Sequence, residues 1–425
     1  MQVSRLPQRN TSEIQGRNPS VRILLPSLYF SMLNAVNKAI LFLARLSFHP
    51  LRRSDVVIFD KECSEELILN ELKPYSVFVL DTRGGIYYVI PVFLGLLSAL
   101  RGREKFRLAY YGHCIALIKP SVVITLIDNN AEFYALKRMY PAAKYCFVQN
   151  GRRSFNNDIF SALHATRESG YELDRMFVFA NPVGDLYKTY VSGTYESIGS
   201  YRLNQRSRSL LPLSDITKGI LYISNWRKKS SLYFCRSSDG TLITHDDFFK
   251  ANALLFEHLT EWCSCNGVQL TTLSSQRCKL RANHEQKFYD KHCHPDFNYE
   301  FLVLRDTDSP YDILANYSCI VGVDSTLCLE SLRMGYKTVF YHCRGSLLGW
   351  PDWNYGWPSV QPENSGAFWT NSSDKEEFLN ILQHIYNMPL HDWKELLNQS
   401  EISNAIELDH GNSKLILYLN QEICP

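Results

Sequence analysis

The stretch Ile320 to Tyr341, IVGVDSTLCLESLRMGYKTVFY, restricts the fold of this chain more than any other. Ile320 to Val323 is a short β-branched apolar run with the length of a buried strand. Asp324, Ser325 and Thr326 follow, with side chains suited to a helix N-terminus. Leu327, Leu329, Leu332 and Met334 give a short helix an apolar side, and Gly335 stands where a helix ends in a left-handed turn. Thr338 to Tyr341 resumes a strand. Strand, tight turn, helix and strand form the repeating unit of a parallel sheet. The turn aims backbone N–H groups and the positive helix end above the sheet, a place suited to anions. Glu330 falls in that helix. It can accept two hydrogen bonds from a sugar diol, or stand as a solvated helix-face carboxylate.

Similar units recur on the N-terminal side. Val56–Phe59, Val77–Leu80, Val122–Ile127, Tyr145–Gln149 and Met176–Ala180 read as strands with helical stretches between them, which predicts a doubly wound α/β domain beginning near Asp55. Residues 87–100 are apolar but too short to cross a bilayer, so a buried helix is expected. Ser200 to Ser214 has the composition of an interdomain linker. A second series follows: strands Ile220–Ser224, Val268–Leu273 and Phe301–Leu304, helices Phe248–Cys263 and Asp374–Met388, and a helix start at Ser309-Pro310. The aromatic loop 345–369 is read either as a stacking surface or as a plug between domains.

Ligands in open α/β sheets bind at the carboxyl ends of the strands. The polar clusters at 81–85, 128–130 and 150–153 should therefore line one rim, and Asn225, Arg227 and Lys228 a second. Arg suits phosphate because its planar fork gives paired hydrogen bonds. A general base must be ionised and must reach an acceptor hydroxyl. Asp128, ending the strongest strand, is the first choice, with Asp81, Glu132, Asp158 and His113 as alternatives.

The chain has 425 residues, 45% apolar and 21% charged, enough for two domains with full cores. A net charge of +2 argues against a polyanion binder and therefore against nucleic acid. The 12 cysteines are scattered without a CxxC pair, so no metal site is expected and reduced thiols in a cytoplasmic protein fit best. Asp306-Thr-Asp308 has the spacing of a metal pair but lies in a loop. Residues 1 to about 20 are polar. From Leu25 to Leu46 apolar residues recur at helical spacing among basic ones, so this helix either lies on an anionic membrane surface or packs on the body.

The run Glu330-Ser-Leu-Arg-Met-Gly335 with Thr338-Val339-Phe340 resembles the donor-site segment of GT-B glycosyltransferases and sugar-nucleotide 2-epimerases, where a Glu grips the nucleotide ribose and the preceding turn holds phosphate. Many retaining members carry a second Glu eight residues earlier; here that position is Gly322. Residues 55–395 resemble a bacterial family of surface-carbohydrate (O-antigen or capsule) biosynthesis proteins, through Ile58-Phe59-Asp60-Lys61-Glu62, Leu80-Asp81-Thr82-Arg83-Gly84, Ile127-Asp128-Asn129-Asn130, Gln149-Asn150-Gly151-Arg152, Val323-Asp324-Ser325-Thr326-Leu327 and Phe368-Trp369-Thr370-Asn371. Distant similarity extends to capsule Kdo transferases and polyol-phosphate transferases. Some of those have His-Gly where this chain has Asn150-Gly151.

The resemblance implies two Rossmann-like domains facing a cleft: a basic tail and amphipathic helix over 1–54, an acceptor domain over 55–205, a donor domain over 215–395 and a helical tail over 396–425. It implies a nucleotide sugar as substrate with no cofactor, a glycan or lipid-linked glycan acceptor, and transfer at the inner membrane's cytoplasmic face. Asp81, Arg83, Asn129, Asn150, Arg152, Asn225, Arg227, Lys228, Asp324, Ser325, Thr326 and Glu330 would bind substrate, and Asp128 would be the base. A 2-epimerase, a polyol-phosphate transferase and a non-catalytic scaffold of the same fold are the alternatives.

Overall fold

The computed structural model describes residues 42–83, 85–166, 170–206, 218–228, 233–236, 240–358 and 364–423. Most of the expected N-terminal helix lies outside them. At its described end Leu46 departs from the reading, because Leu46–Ser47 forms a short parallel strand with Tyr87–Tyr88.

Two separate sheets organise the chain. The first has six parallel strands in the order Val77–Leu80, Val56–Phe59, Val122–Thr125, Lys144–Val148, Tyr171–Val178 and Val191–Ser197. Its central strands are buried on both faces, which explains their unbroken apolar runs. The second runs Glu300–Leu302, Leu270–Leu273, Lys218–Ile223, Tyr317–Gly322, Thr338–Tyr341 and Trp369–Thr370 in parallel, with Ser365–Gly366 antiparallel at the edge. The unit read first in the sequence sits here. Ile320 pairs with Thr338, helix Thr326–Arg333 joins the two strands, and Gly335 takes φ +94°. At Gly322 a Cβ would overlap Cys328 Sγ, so close helix packing excludes a Glu there.

Two expectations are corrected, and an alternative left open is decided. Helix Val89–Leu100 forms, but it is not buried: Pro91, Val92 and Gly95 pack inward while Phe93 is 61% exposed. The segment read as a linker begins with helix Tyr201–Arg206, whose Tyr201, Leu203 and Asn204 are buried. Asn204 bonds Asn412 at 2.9 Å, so this helix is clamped to the C-terminal segment. The aromatic loop is mainly a plug. Trp350 and Phe368 are buried, and Trp353 Nε1 donates to the Asn156 carbonyl at 2.9 Å. Finally, helix Ser413–Ile423 crosses back to the first sheet, where Leu415, Tyr418 and Leu419 cover Val56, Ile58 and Phe177.

Candidate functional site: a cleft with two chambers

The carboxyl ends of strands from both sheets border a cleft with two adjoining chambers, of about 630 and 910 Å³, which share Asn150, Arg202 and Thr326. Their charge differs. The smaller is lined by Arg152, Arg153, Arg202, Arg227 and Arg344 against Asp158 and Asp324. The larger has eight carboxylates, among them Asp60, Asp81 and Glu330, against five cations, among them Arg83 and Arg277. Clefts lined by one sign of charge focus the field, so the smaller chamber is the anion-attracting one.

The floor of the smaller chamber is a buried polar network. Arg344, 1% exposed, pairs with Asp324 at 2.9 Å, donates to Asn252 Oδ1 at 2.7 Å and lies over the Phe248 ring at 4.3 Å. Asn225 donates to the other Asp324 oxygen and accepts from Asn252 at 2.8 Å. Asp324 therefore holds Arg344 and Asn225, and its Oδ2 is closed off from solvent. Ser325 is the N-cap of helix Thr326–Arg333, yet its hydroxyl makes no capping bond and borders the chamber. Thr326 Oγ1 accepts the Arg152 N–H at 3.1 Å, which ties the two halves across the cleft.

Among the chamber's cations Arg152 is the more buried of the two, with Arg227, that pair with no carboxylate among the described residues. Its guanidinium donates to the carbonyls of Asp352 (3.1 Å) and Asn354 (2.9 Å), and it makes no ion pair among the described residues. Burial lowers its pKa from the ordinary guanidinium value, against the pull of Asp324 and Asp352. A partly buried positive charge held by neutral dipoles at a chamber wall favours an incoming anion.

Glu330 is 5% exposed and borders the larger chamber. One oxygen accepts from the Ser200 hydroxyl and the other from Tyr311 Oη at 2.8 Å. Burial pushes its pKa up, against those two hydrogen bonds and the field of Arg202. The carboxylate is held in one orientation, and each oxygen retains a second lone pair for a ligand hydroxyl.

Of the residues expected from sequence, Asn129, Asn150, Arg152, Asn225, Arg227, Asp324, Ser325 and Thr326 border the smaller chamber, and Asp81, Arg83 and Glu330 the larger. Arg83 is occupied by ion pairs to Asp60 (2.8 Å) and Glu62. Lys228 is exposed and borders neither chamber. Asp128 is corrected outright. It is wholly buried, clamped by Arg153 (Nε to Oδ2, 2.8 Å) and Tyr187 (2.9 Å), and borders neither chamber, so it cannot reach an acceptor hydroxyl. His113 bonds Ser98 and Glu132 pairs with Arg107, both away from the chambers. Asp308 of the Asp306-Thr-Asp308 pair takes Arg305 at 3.0 Å. Asp158 faces the smaller chamber. Burial raises its carboxyl pKa despite Arg153 and despite the N–H groups of Ile159 and Ser154.

Sequence reading missed Arg344, Asp60, Ser200 and Tyr311. Arg344 and Asp60 lie just beyond strand ends, where the strand-end rule points. Ser200 and Tyr311 gave no local signal, because their partner Glu330 is distant along the chain.

Fold and cleft together define a two-sheet GT-B α/β protein. A family described as "putative O-antigen biosynthesis protein" matches residues 146–423, more than half of the chain, and the chain belongs to that family. Among solved structures, the "putative UDP-N-acetylglucosamine 2-epimerase" from Listeria monocytogenes is similar at TM-score 0.50 and 10% identity, over 88% of this chain and 97% of that one. The UDP-GlcNAc 2-epimerase from Neisseria meningitidis gives 0.46 at 11% identity, over 86% and 99%. The wall teichoic acid polymerase TagF gives 0.44 at 8%, over 94% and 98%. At such identities the Listeria likeness speaks to fold alone. No curated protein matches the chain.

Proposed function

We propose that this protein is a GT-B glycosyltransferase that moves a sugar from a nucleotide-sugar donor onto an acceptor during O-antigen or related surface-glycan biosynthesis. The observation that carries this reading is Arg152, a cation with no carboxylate partner, standing beside the Ser325–Thr326 helix start. The donor diphosphate sits in the smaller chamber, against Arg152, Arg227 and the N–H groups of that helix start. The ribose diol meets Glu330, and the nucleoside extends into the larger chamber.

In an inverting transfer the acceptor oxygen bonds to the anomeric carbon as the bond from that carbon to the phosphate oxygen breaks. The acceptor proton passes to the Asp158 carboxylate, which burial makes a stronger base than an ordinary aspartate. The departing diphosphate gains its stabilisation from Arg227 and from Arg152, whose guanidinium is already held by two carbonyls before the reaction begins.

The test is a thermal-shift screen with UDP, GDP, CMP and CDP sugars. One donor class should raise the melting temperature, and Arg152→Ala should remove most of that rise. No response to any nucleotide sugar would sink the proposal. Asp158→Asn should lower turnover by about a hundredfold or more with donor affinity unchanged. Interconversion of a sugar nucleotide with no acceptor present would replace transfer with 2-epimerisation.

A further inference from the structure

Helix Val89–Leu100 has no charged residue in its twelve positions, yet it lies at the surface. One side packs on helix Phe106–Ile118, with Gly95 against the Tyr110 backbone. The other side presents Ile86 just before the helix, then Ile90, Phe93, Leu96 and Leu100, all exposed, with Leu100 at 84%. Within the helix, spacings of three, three and four place Ile90, Phe93, Leu96 and Leu100 on one face. The short strand Leu46–Ser47 pairs with Tyr87–Tyr88 and brings exposed Leu43 and Phe48 beside the start of that face. A contiguous apolar surface of this kind marks an interaction site.

We infer that this face docks the protein on an anionic lipid bilayer. Charge selects that occupant. Arg45 flanks one end, and Arg101, Arg103 and Lys105 follow the other; all four are exposed and none forms an ion pair among the described residues. Glu104, between them, is taken by Arg138 at 2.8 Å. A second copy of the chain, related by a two-fold axis, would set cations of the same sign near one another. The chain's own residues 1–41 carry Arg5, Arg9, Arg17, Arg22 and Lys38 against Glu13, and would add like charge. Anionic headgroups complement the cationic rim while the acyl boundary takes up the apolar side chains. Asp81 and Arg83, which border the larger chamber, precede the helix in the chain. The inference stands apart from the transfer reaction.

Flotation of the full chain with phosphatidylcholine vesicles, with and without phosphatidylglycerol, tests it. Wild type should float with the anionic vesicles only. Ile90→Ser/Phe93→Ser and Arg101→Glu/Arg103→Glu should each lower the vesicle partition coefficient at least about tenfold. Both pairs are exposed, so melting temperature and nucleotide response should stay at wild-type values. Wild type failing to bind anionic vesicles, or either variant binding like wild type, overturns the inference. So does a dimer of the wild type that Ile90→Ser/Phe93→Ser converts to monomer without vesicle binding in either form.

Discussion

At the scale of single residues, Glu330 and His342 hold their protonation states for opposite reasons. Glu330 is a carboxylate that folding makes harder to ionise, chiefly through burial. A group of this kind binds its proton more readily when folded, so at neutral pH its charge costs stability. Glu330→Gln keeps the shape and removes the charge. The variant without ligand should be more stable at pH 7 by about 1 kcal/mol in urea unfolding. Its advantage should shrink as pH falls through the raised pKa, where wild-type Glu330 takes up a proton before the unfolded chain does. The same change should remove the nucleotide-dependent rise in melting temperature, which separates a ligand-binding carboxylate from a merely structural one. His342 is the converse: burial, then Arg152, depress its pKa to about 3, and its Nδ1 lies 2.9 Å from the Trp353 carbonyl. The unfolded chain protonates this imidazole near pH 6.5 and the folded chain does not, so stability is lost as pH falls from 6.5 toward 3. Between pH 7 and 5, wild type should lose about 2 kcal/mol more than His342→Gln in matched urea titrations. The placement of Ser325, Thr326 and Arg152 at strand ends beside the cleft follows from chain position and was legible in the sequence. Asp128 was not, because its fate is decided by Arg153 and Tyr187, and sequence shows a strand-end carboxylate without showing which way it folds.

At the scale of elements, the central strands were legible because burial on both faces leaves unbroken apolar runs. Edges and joints were not. Val191–Ser197 is an edge strand with Gly193 and mostly polar residues, so it shows no apolar run. Helix Tyr201–Arg206 follows directly and takes its order from Glu71, Glu330 and Asn412, which lie far along the chain. The loop 350–357 is the clearest joint. The buried Asp352 carboxylate accepts the N–H groups of Phe155 (2.8 Å) and Asn156 (2.7 Å) and the Asn156 side-chain amide (2.7 Å). It thus pins the second half to the loop following strand Lys144–Val148. Asp352→Ala leaves those donors unpaired and should cost about 2–3 kcal/mol. In hydrogen-exchange mass spectrometry the peptide covering 153–157 should exchange faster, while the core of the first sheet keeps its protection. Unchanged exchange there would mean that the joint contributes nothing to closure.

At the scale of the whole molecule, the question is whether two sheets with separate strands unfold together. The chain passes from the first sheet to the second and then returns, because helix Ser413–Ile423 lies on the first sheet's outer face. Tyr418 meets Phe177 edge-on at 5.6 Å, and Lys414 Nζ donates to the Ser197 carbonyl at 2.7 Å. Cleft bonds from Arg152 and Asp352 add to that return. A cleft whose walls come from both halves works as one binding surface only if the halves hold a common orientation, so the tie carries function as well as stability. The seven tryptophans make this measurable, since all lie between Trp226 and Trp393 and none belongs to the first sheet. Their fluorescence reports the second half and, through Trp353 and Trp357, its joint with the first. Leu415 is wholly buried on the first sheet, and Leu415→Ala should destabilise by about 2–4 kcal/mol through lost burial and the cavity left behind. If the halves are coupled, the tryptophan midpoint in denaturant falls with the far-ultraviolet circular dichroism midpoint, although no tryptophan belongs to the sheet that Leu415 covers. A tryptophan midpoint that stays in place while part of the dichroism shifts would show two independent units, and the cleft would then be a contact between modules rather than a single preorganised site.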